Sequence, residues 1–139
     1  MTRSTGHFEA LRLQPGTDLR RTLERRAARP GACAMAVVTC CGSLSSARLR
    51  PADATSGIGI DGPLEILSLT GTLSSSGVHL HMAVGDALGE AFGGHVLPGC
   101  VIRTTAEIVL LTLPGLRFRR ERDPTTGWRE LAIAPRRPK

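Results

Sequence analysis

Apolar and polar positions alternate with a period of two along residues 8–13, FEALRL, which predicts a first strand. PGTDL then turns the chain, with Thr17 or Asp18 placed to cap a helix. Leu19, Leu23 and Ala27 follow at helical spacing, while Arg20, Arg21, Glu24 and Arg25 fall mainly on the other side, where the arginines suit contact with phosphates or, more ordinarily, a solvated face. RPG at 29–31 stops the helix, and ACAMAVVT (32–39) reads as a buried strand. CGSLSSARLRP reads as a Gly/Ser turn leading into a short strand around Leu49, and residues 51–62, PADATSGIGIDG, as the most loop-like stretch. PLEILSLTGTL is a strand interrupted only by Gly71, and SSSG connects it to the next. CVIRTTAEIVLLTL (100–113) has enough Ile, Val and Thr to favour strand over helix. One helix among many short strands predicts an α+β domain: a largely antiparallel sheet with one N-terminal helix packed on it. The expected organisation is a single domain over residues 1–134 and a basic tail over 135–139.

The stretch GVHLHMAVGDALGEAFGGHVLPG holds three of the four histidines. Asp86-Ala87-Leu88-Gly89 suits a three-residue hairpin loop, with Asp opening a type I turn and Gly89 supplying a left-handed residue. That turn pairs Asp86 with Glu90 and sets His81 opposite His95, with His79 two residues along on the same face. Val78, Leu80, Met82, Val84, Phe92 and Val96 fall on the other face, which belongs in the core. Apart from Leu97, the histidine face carries small residues, and Gly93 and Gly94 leave room for a ligand or another backbone. Three imidazoles so placed can reach the ~2.0–2.1 Å of zinc–nitrogen bonds and leave a fourth position open. A polar strand surface, or histidines hydrogen-bonded in a subunit interface, would use the same pattern.

Imidazoles also accept nickel, cobalt and copper, so the expected cofactor is zinc or another divalent transition metal. Glu65 and Glu107 interrupt apolar strands; either would serve to orient a histidine or move a proton on metal-bound water, or simply lie at an exposed edge. Arg12 and Arg103 suit a carboxylate or phosphate, or ordinary salt bridges. Cys100, of the opposite parity to His95, points to the core.

Charge changes this picture little. The chain of 139 residues carries +6, but Lys139 is its only lysine, so the arginine bias argues weakly for an acidic partner. Tyrosine is absent, which disfavours single-strand binding by base stacking. Cys33, Cys40, Cys41 and Cys100 show no CxxC spacing and are expected to be free, mostly buried thiols in a reducing cytosol. Cys40 and Cys41 should face opposite sides of a strand. The opening MTRSTGHFEALRL has no apolar signal region, and no apolar run approaches the roughly 18 residues of a membrane span, so a soluble cytoplasmic protein is expected.

RLQPGTDL, GPLEILSLTGTL, HLHMAVGDALGEAFGGH and TTAEIVLL occur in an order that resembles the PPC domain shared by plants and prokaryotes. The resemblance covers roughly residues 8–113, and the Gly-Gly-His hairpin is its most specific part. It implies an α+β domain that assembles as a trimer. In plants the domain accompanies AT-hooks in nuclear DNA-binding proteins and associates with transcription factors; bacterial members are single-domain and labelled DNA-binding. The metal-binding histidines of prokaryotic members correspond to His79, His81 and His95. APRRPK lacks an AT-hook core, and GPLEI carries Pro63 and Leu64 where the plant type has Arg and Phe.

A looser likeness to acetolactate decarboxylase, with zinc on a His-x-His pair and a later His, implies that such a trio can act on a small oxo acid. The expected function is a homotrimeric PPC-domain protein with a three-histidine metal site, associated with duplex DNA or a regulatory protein. The alternative is a zinc-dependent lyase or hydrolase acting on a small oxo or carboxylate compound. A third reading has the histidines shape an interface or sense a metabolite.

Overall fold

A computed structural model describes residues 1–136. Its elements are β1 (His7–Leu13), α1 (Leu19–Ala27), β2 (Ala34–Arg50), β3 (Ile58–Ser74), β4 (Gly77–Gly85), β5 (Ala91–Val96), β6 (Val101–Leu113), β7 (Leu116–Arg122) and β8 (Arg129–Pro135). Six strands form an antiparallel sheet in the order β1-β6-β2-β3-β4-β5, and β7 and β8 form a separate two-stranded ribbon. The fold is α+β, as one helix among many strands implies.

The sheet curls because β2 has two partners on one side. β3 runs along one side of β2; on the other, residues 34–46 pair with β6 while Leu49 and Arg50 pair with Val96 and His95 of β5. Strands β2 to β5 thereby close on themselves. The enclosed core includes Leu44, Leu49, Leu64, Leu73, Leu80, Val84, Val96, Ile102, Ile108 and Leu110, with Leu19 and Leu23 of α1 packed onto it. Asp18 caps α1 by accepting from Arg21 N at 2.9 Å, and its second oxygen accepts from Gly99 N at 2.7 Å. The cap therefore fixes the helix start to the β5–β6 connection as well.

Two expected loops are strand. The Gly/Ser cluster at 42–46 does not reverse the chain, because β2 runs unbroken through it. The small residues serve irregular pairing instead: the register shifts between Gly42 and Leu44 and again between Leu44 and Ser46. A Cβ on Gly42 would stand 2.1 Å from the Thr105 carbonyl oxygen, so glycine is needed where β2 crosses β6. Likewise β3 begins at Ile58, inside the loop-like stretch, and pairs Ile58 with Leu49.

The β7–β8 ribbon has no counterpart in the expected elements. Leu116 and Phe118 bury one side of it in a small cluster with Ala34. Of the basic tail expected at 135–139, Pro135 closes β8 and Arg136 is tied down, its N–H donating to Gly115 O at 2.9 Å and its Nη1 to Gly31 O at 3.3 Å. Residues 137–139 lie outside the described residues.

Candidate metal centre

The hairpin carrying the histidines forms as its turn chemistry dictates. Asp86 N donates to Glu90 O at 2.9 Å, Asp86 Oδ1 accepts from Leu88 N and Glu90 N, and Gly89 is left-handed at φ 83°. His81 pairs directly with His95. Val78, Leu80, Met82, Val84 and Val96 are buried, and Phe92 packs against the core from its edge.

Two strands therefore hold His95: His81 of β4 lies on one side and Arg50 of β2 on the other. Gly94 makes that second pairing possible. A Cβ there would stand 2.6 Å from the Arg50 carbonyl oxygen, so its small size serves strand closure rather than a ligand. Gly93 is different: a Cβ would meet only Met82 O, at an ordinary 3.5 Å.

His79, His81 and His95 each offer a ring nitrogen within 4.8 Å of the others'. The three ring centroids lie 4.9, 5.2 and 5.6 Å apart. His79 Nε2 and His81 Nε2 are separated by 3.1 Å. Two nitrogens on one tetrahedral zinc would be about 3.3–3.4 Å apart, given bonds of ~2.0–2.1 Å. His95 Nδ1 is buried and has no hydrogen-bond partner among the described residues. Three imidazoles at this spacing, one with an unsatisfied buried nitrogen, fit a divalent transition metal.

Electrostatics favour the unprotonated form a metal needs. Burial, followed by the nearby Arg20, pushes His95 down to about 4. Burial also lowers His79, helped by Arg120 and His81 and opposed by Glu130. Both arginines touch the rings. Arg20, reaching from α1, donates Nη1 to Val96 O and approaches His95 Nε2 at 3.3 Å, while its Nε bonds Glu24 at 2.8 Å. Arg120 of β7 places Nη1 3.4 Å from His79 Nδ1 and donates Nη2 to Thr72 Oγ1 at 2.8 Å.

A guanidinium only donates, so His79 Nδ1 accepts from Arg120 and the ring proton sits on Nε2, which donates to His81 Nε2. His79 and His95 line a cleft of about 1040 Å³ whose walls include Arg50, Asp53, Trp128, Arg129 and Glu130, with His81 just behind them.

Several expected participants stand elsewhere. Glu65 is exposed, opposite Ser43 and Gly85, and Glu107 is exposed between Arg12 and Cys41. Neither lines the histidine cleft: Glu65 shares the outward face but pairs with Gly85, four residues along β4 from His81, and Glu107 lies on β6, paired with Arg12 and Cys41. Arg12 and Arg103 are exposed on β1 and β6. Cys100 is buried in the core as its parity requires, and Cys40 and Cys41 split between buried and exposed. Only two of the four thiols are buried, however, because Cys33 lies in a half-covered loop.

The sequence does not place any arginine beside the trio. Arg20 reads as a solvated helix position, yet its side chain is only 15% exposed. Its place directly beside buried Leu19 and Leu23 was the available signal. No helix among the described residues is long and apolar enough to cross a membrane.

Comparison with known proteins places this arrangement. The chain is 52% identical over 125 residues to the bifunctional protein GlmU of a Synechococcus strain, a match covering 90% of this chain but 20% of that protein. A second Synechococcus GlmU matches at the same identity over 123 residues. The chain thus spans about a fifth of the length of these relatives. A hypothetical protein from Salmonella cholerae-suis shares the fold with a TM-score of 0.94 at 40% identity, covering 97% of this chain and 98% of that one. A metal-containing protein from Archaeoglobus fulgidus aligns with a TM-score of 0.74 at 27% identity, covering 95% and 99%. The family model of the Plants and Prokaryotes Conserved (PCC) domain matches residues 2–114, which include the histidine hairpin and the whole six-stranded sheet. This chain belongs to the PCC domain family.

Proposed function

We propose that this PCC-domain protein binds a divalent transition metal, zinc first among them, through His79, His81 and His95, and that copies of it form a homotrimer. The convergence of three ring nitrogens within 4.8 Å carries the metal reading. The depressed basicity of His79 and His95 and the metal content of the Archaeoglobus relative support it. When bound, the ion would supply a Lewis-acid position open on the cleft side. The chain's own residues would hold it on three sides and present Arg20, Arg120 and Glu130 to whatever enters.

Assembly is supported by apolar side chains left exposed on strands: Phe8 at 72%, Val38 at 51% and Leu67 at 58%. Elemental analysis of the purified chain beside His81→Ala tests the metal reading. One ion per chain in the parent, lost in the variant, is expected; equal metal content in both refutes it. Light scattering reads the trimer independently.

A second reading, a metal-dependent enzyme acting on a small oxo or carboxylate compound, is favoured by the cleft. Glu130 and Asp53 on its wall, rather than Glu65 or Glu107, are placed to move a proton. Association with duplex DNA or a regulatory protein rests on the charge of +6, and for DNA predicts affinity that falls steeply with salt.

A further inference from the structure

Guanidinium groups outnumber carboxylates around the histidine trio. Arg20, Arg50, Arg120 and Arg129 line the cleft against Asp53 and Glu130, and Glu24 is already committed to Arg20 Nε. Loading a divalent ion onto the three rings would add two more positive charges in the same place. A cleft of one sign gathers a counter-charge from solution.

The contacts of Arg20 and Arg120 point the same way. Each aims Nη1 at an imidazole nitrogen, at 3.3 and 3.4 Å, and so leans on a ring lone pair. On His79, Nε2 faces His81 and Nδ1 faces Arg120. If Nε2 gives its lone pair to an ion, the neutral ring carries its proton on Nδ1, and Arg120 Nη1 loses its acceptor. A donor left unpaired in a half-buried cleft is costly, and a carboxylate or phosphate is the acceptor that a guanidinium fork fits best.

We propose that the cleft takes a small molecule bearing a carboxylate or phosphate, whose oxyanion is held by Arg120 and Arg20 beside the histidines, with Arg50, the strand partner of His95, also on the cleft wall. This rests on the metal reading above, and deepens it by naming the chemistry of the ligand. The volume of about 1040 Å³ accommodates a small molecule and its approach. Arg120 comes from β7, beyond the residues 2–114 matched by the family model, so this part of the recognition belongs to the ribbon rather than to the histidine hairpin.

The test uses the full chain loaded with cobalt(II), whose visible absorption reports its coordination. Inorganic phosphate and acetate are titrated separately into the parent, Arg120→Gln, Arg120→Lys and Arg50→Gln. At least one anion is expected to shift the cobalt bands of the parent. Arg120→Gln should keep cobalt stoichiometry yet weaken anion binding about tenfold or more, and Arg120→Lys should fall between, since lysine keeps the charge but not the fork. Arg50→Gln, expected to weaken binding more modestly, stands in if the Arg120 variants do not fold. A response to phosphate alone identifies a phosphoryl ligand, and one to acetate alone a carboxylate.

Cobalt bound without response to either anion overturns the proposal and leaves the metal reading intact, as does a response that neither arginine site alters. Failure of the parent to bind cobalt overturns both.

Discussion

Gly94→Ala tests the strand closure that positions His95. The added methyl would stand 2.6 Å from the carbonyl oxygen of Arg50 and 3.0 Å from its carbon, both backbone atoms of a paired strand. Neither can swing aside as a side-chain tip would, so β5 and the end of β2 must separate. Overpacking of this kind costs roughly 1–3 kcal/mol. Loosening the Leu49–Val96 and Arg50–His95 pairs adds about 1 kcal/mol per hydrogen bond lost.

A loss of about 2–4 kcal/mol is expected, or a fall in Tm of roughly 6–15 °C for a domain this size. Gly93→Ala is the control. Its methyl would meet only Met82 O at 3.5 Å, and the change should stay within about 1 kcal/mol. Thermal unfolding of both variants and the parent, at one fixed protein concentration and without metal, gives the comparison. Metal affinity of Gly94→Ala should fall as well, because its neighbour His95 moves with the strand. If the two alanine variants unfold together, the claim that Gly94 is there for backbone closure is wrong.

Two other outcomes follow from polar contacts. Asp18→Ala removes the helix cap and leaves Gly99 N without its acceptor, so a loss of about 2–4 kcal/mol is expected in denaturant melts; Asp18→Asn should recover at least half of it. Hydrogen bonds from Arg26, then Thr112, hold the Glu9 carboxyl below its usual range. Because the folded value is the lower one, this contribution is present above about pH 4.5 and fades as pH falls through the folded value. With the carboxylate 35% exposed it amounts to less than about 1 kcal/mol. Glu9→Gln should flatten that part of the acid limb, and an unchanged limb would show that the pair contributes nothing.

The histidine trio was legible because a few local rules decide it. Asp86 and Gly89 select one loop, the loop fixes one register, and period-two parity then sends six apolar side chains toward the core and three imidazoles to the other face. The helix was legible for a similar reason, its stripe of Leu19, Leu23 and Ala27 matching the buried set. What failed depends on distant partners. The Gly/Ser run of β2 has turn composition, and only the bulged pairing with β3 and β6 shows why small residues stand inside a strand.

The β7–β8 ribbon stayed hidden because LRFRRER is dominated by charge, with Leu116 and Phe118 its only apolar anchors. Glu65 and Glu107 stayed ambiguous because a carboxylate in an apolar strand looks the same whether it faces a site or solvent, and the exposed-edge alternative is the one observed. Arg20 and Arg120 reach the rings across sequence separations of 75 and 41 residues, beyond any local pattern.

The ribbon has an evolutionary consequence. Because Arg120, Trp128 and Arg129 sit on a hairpin that contributes no strand to the closed sheet, substitutions there can change the cleft wall while the three imidazoles stay in place. A lineage could thus keep the three rings and reshape the wall beside them through an appendage of some twenty residues.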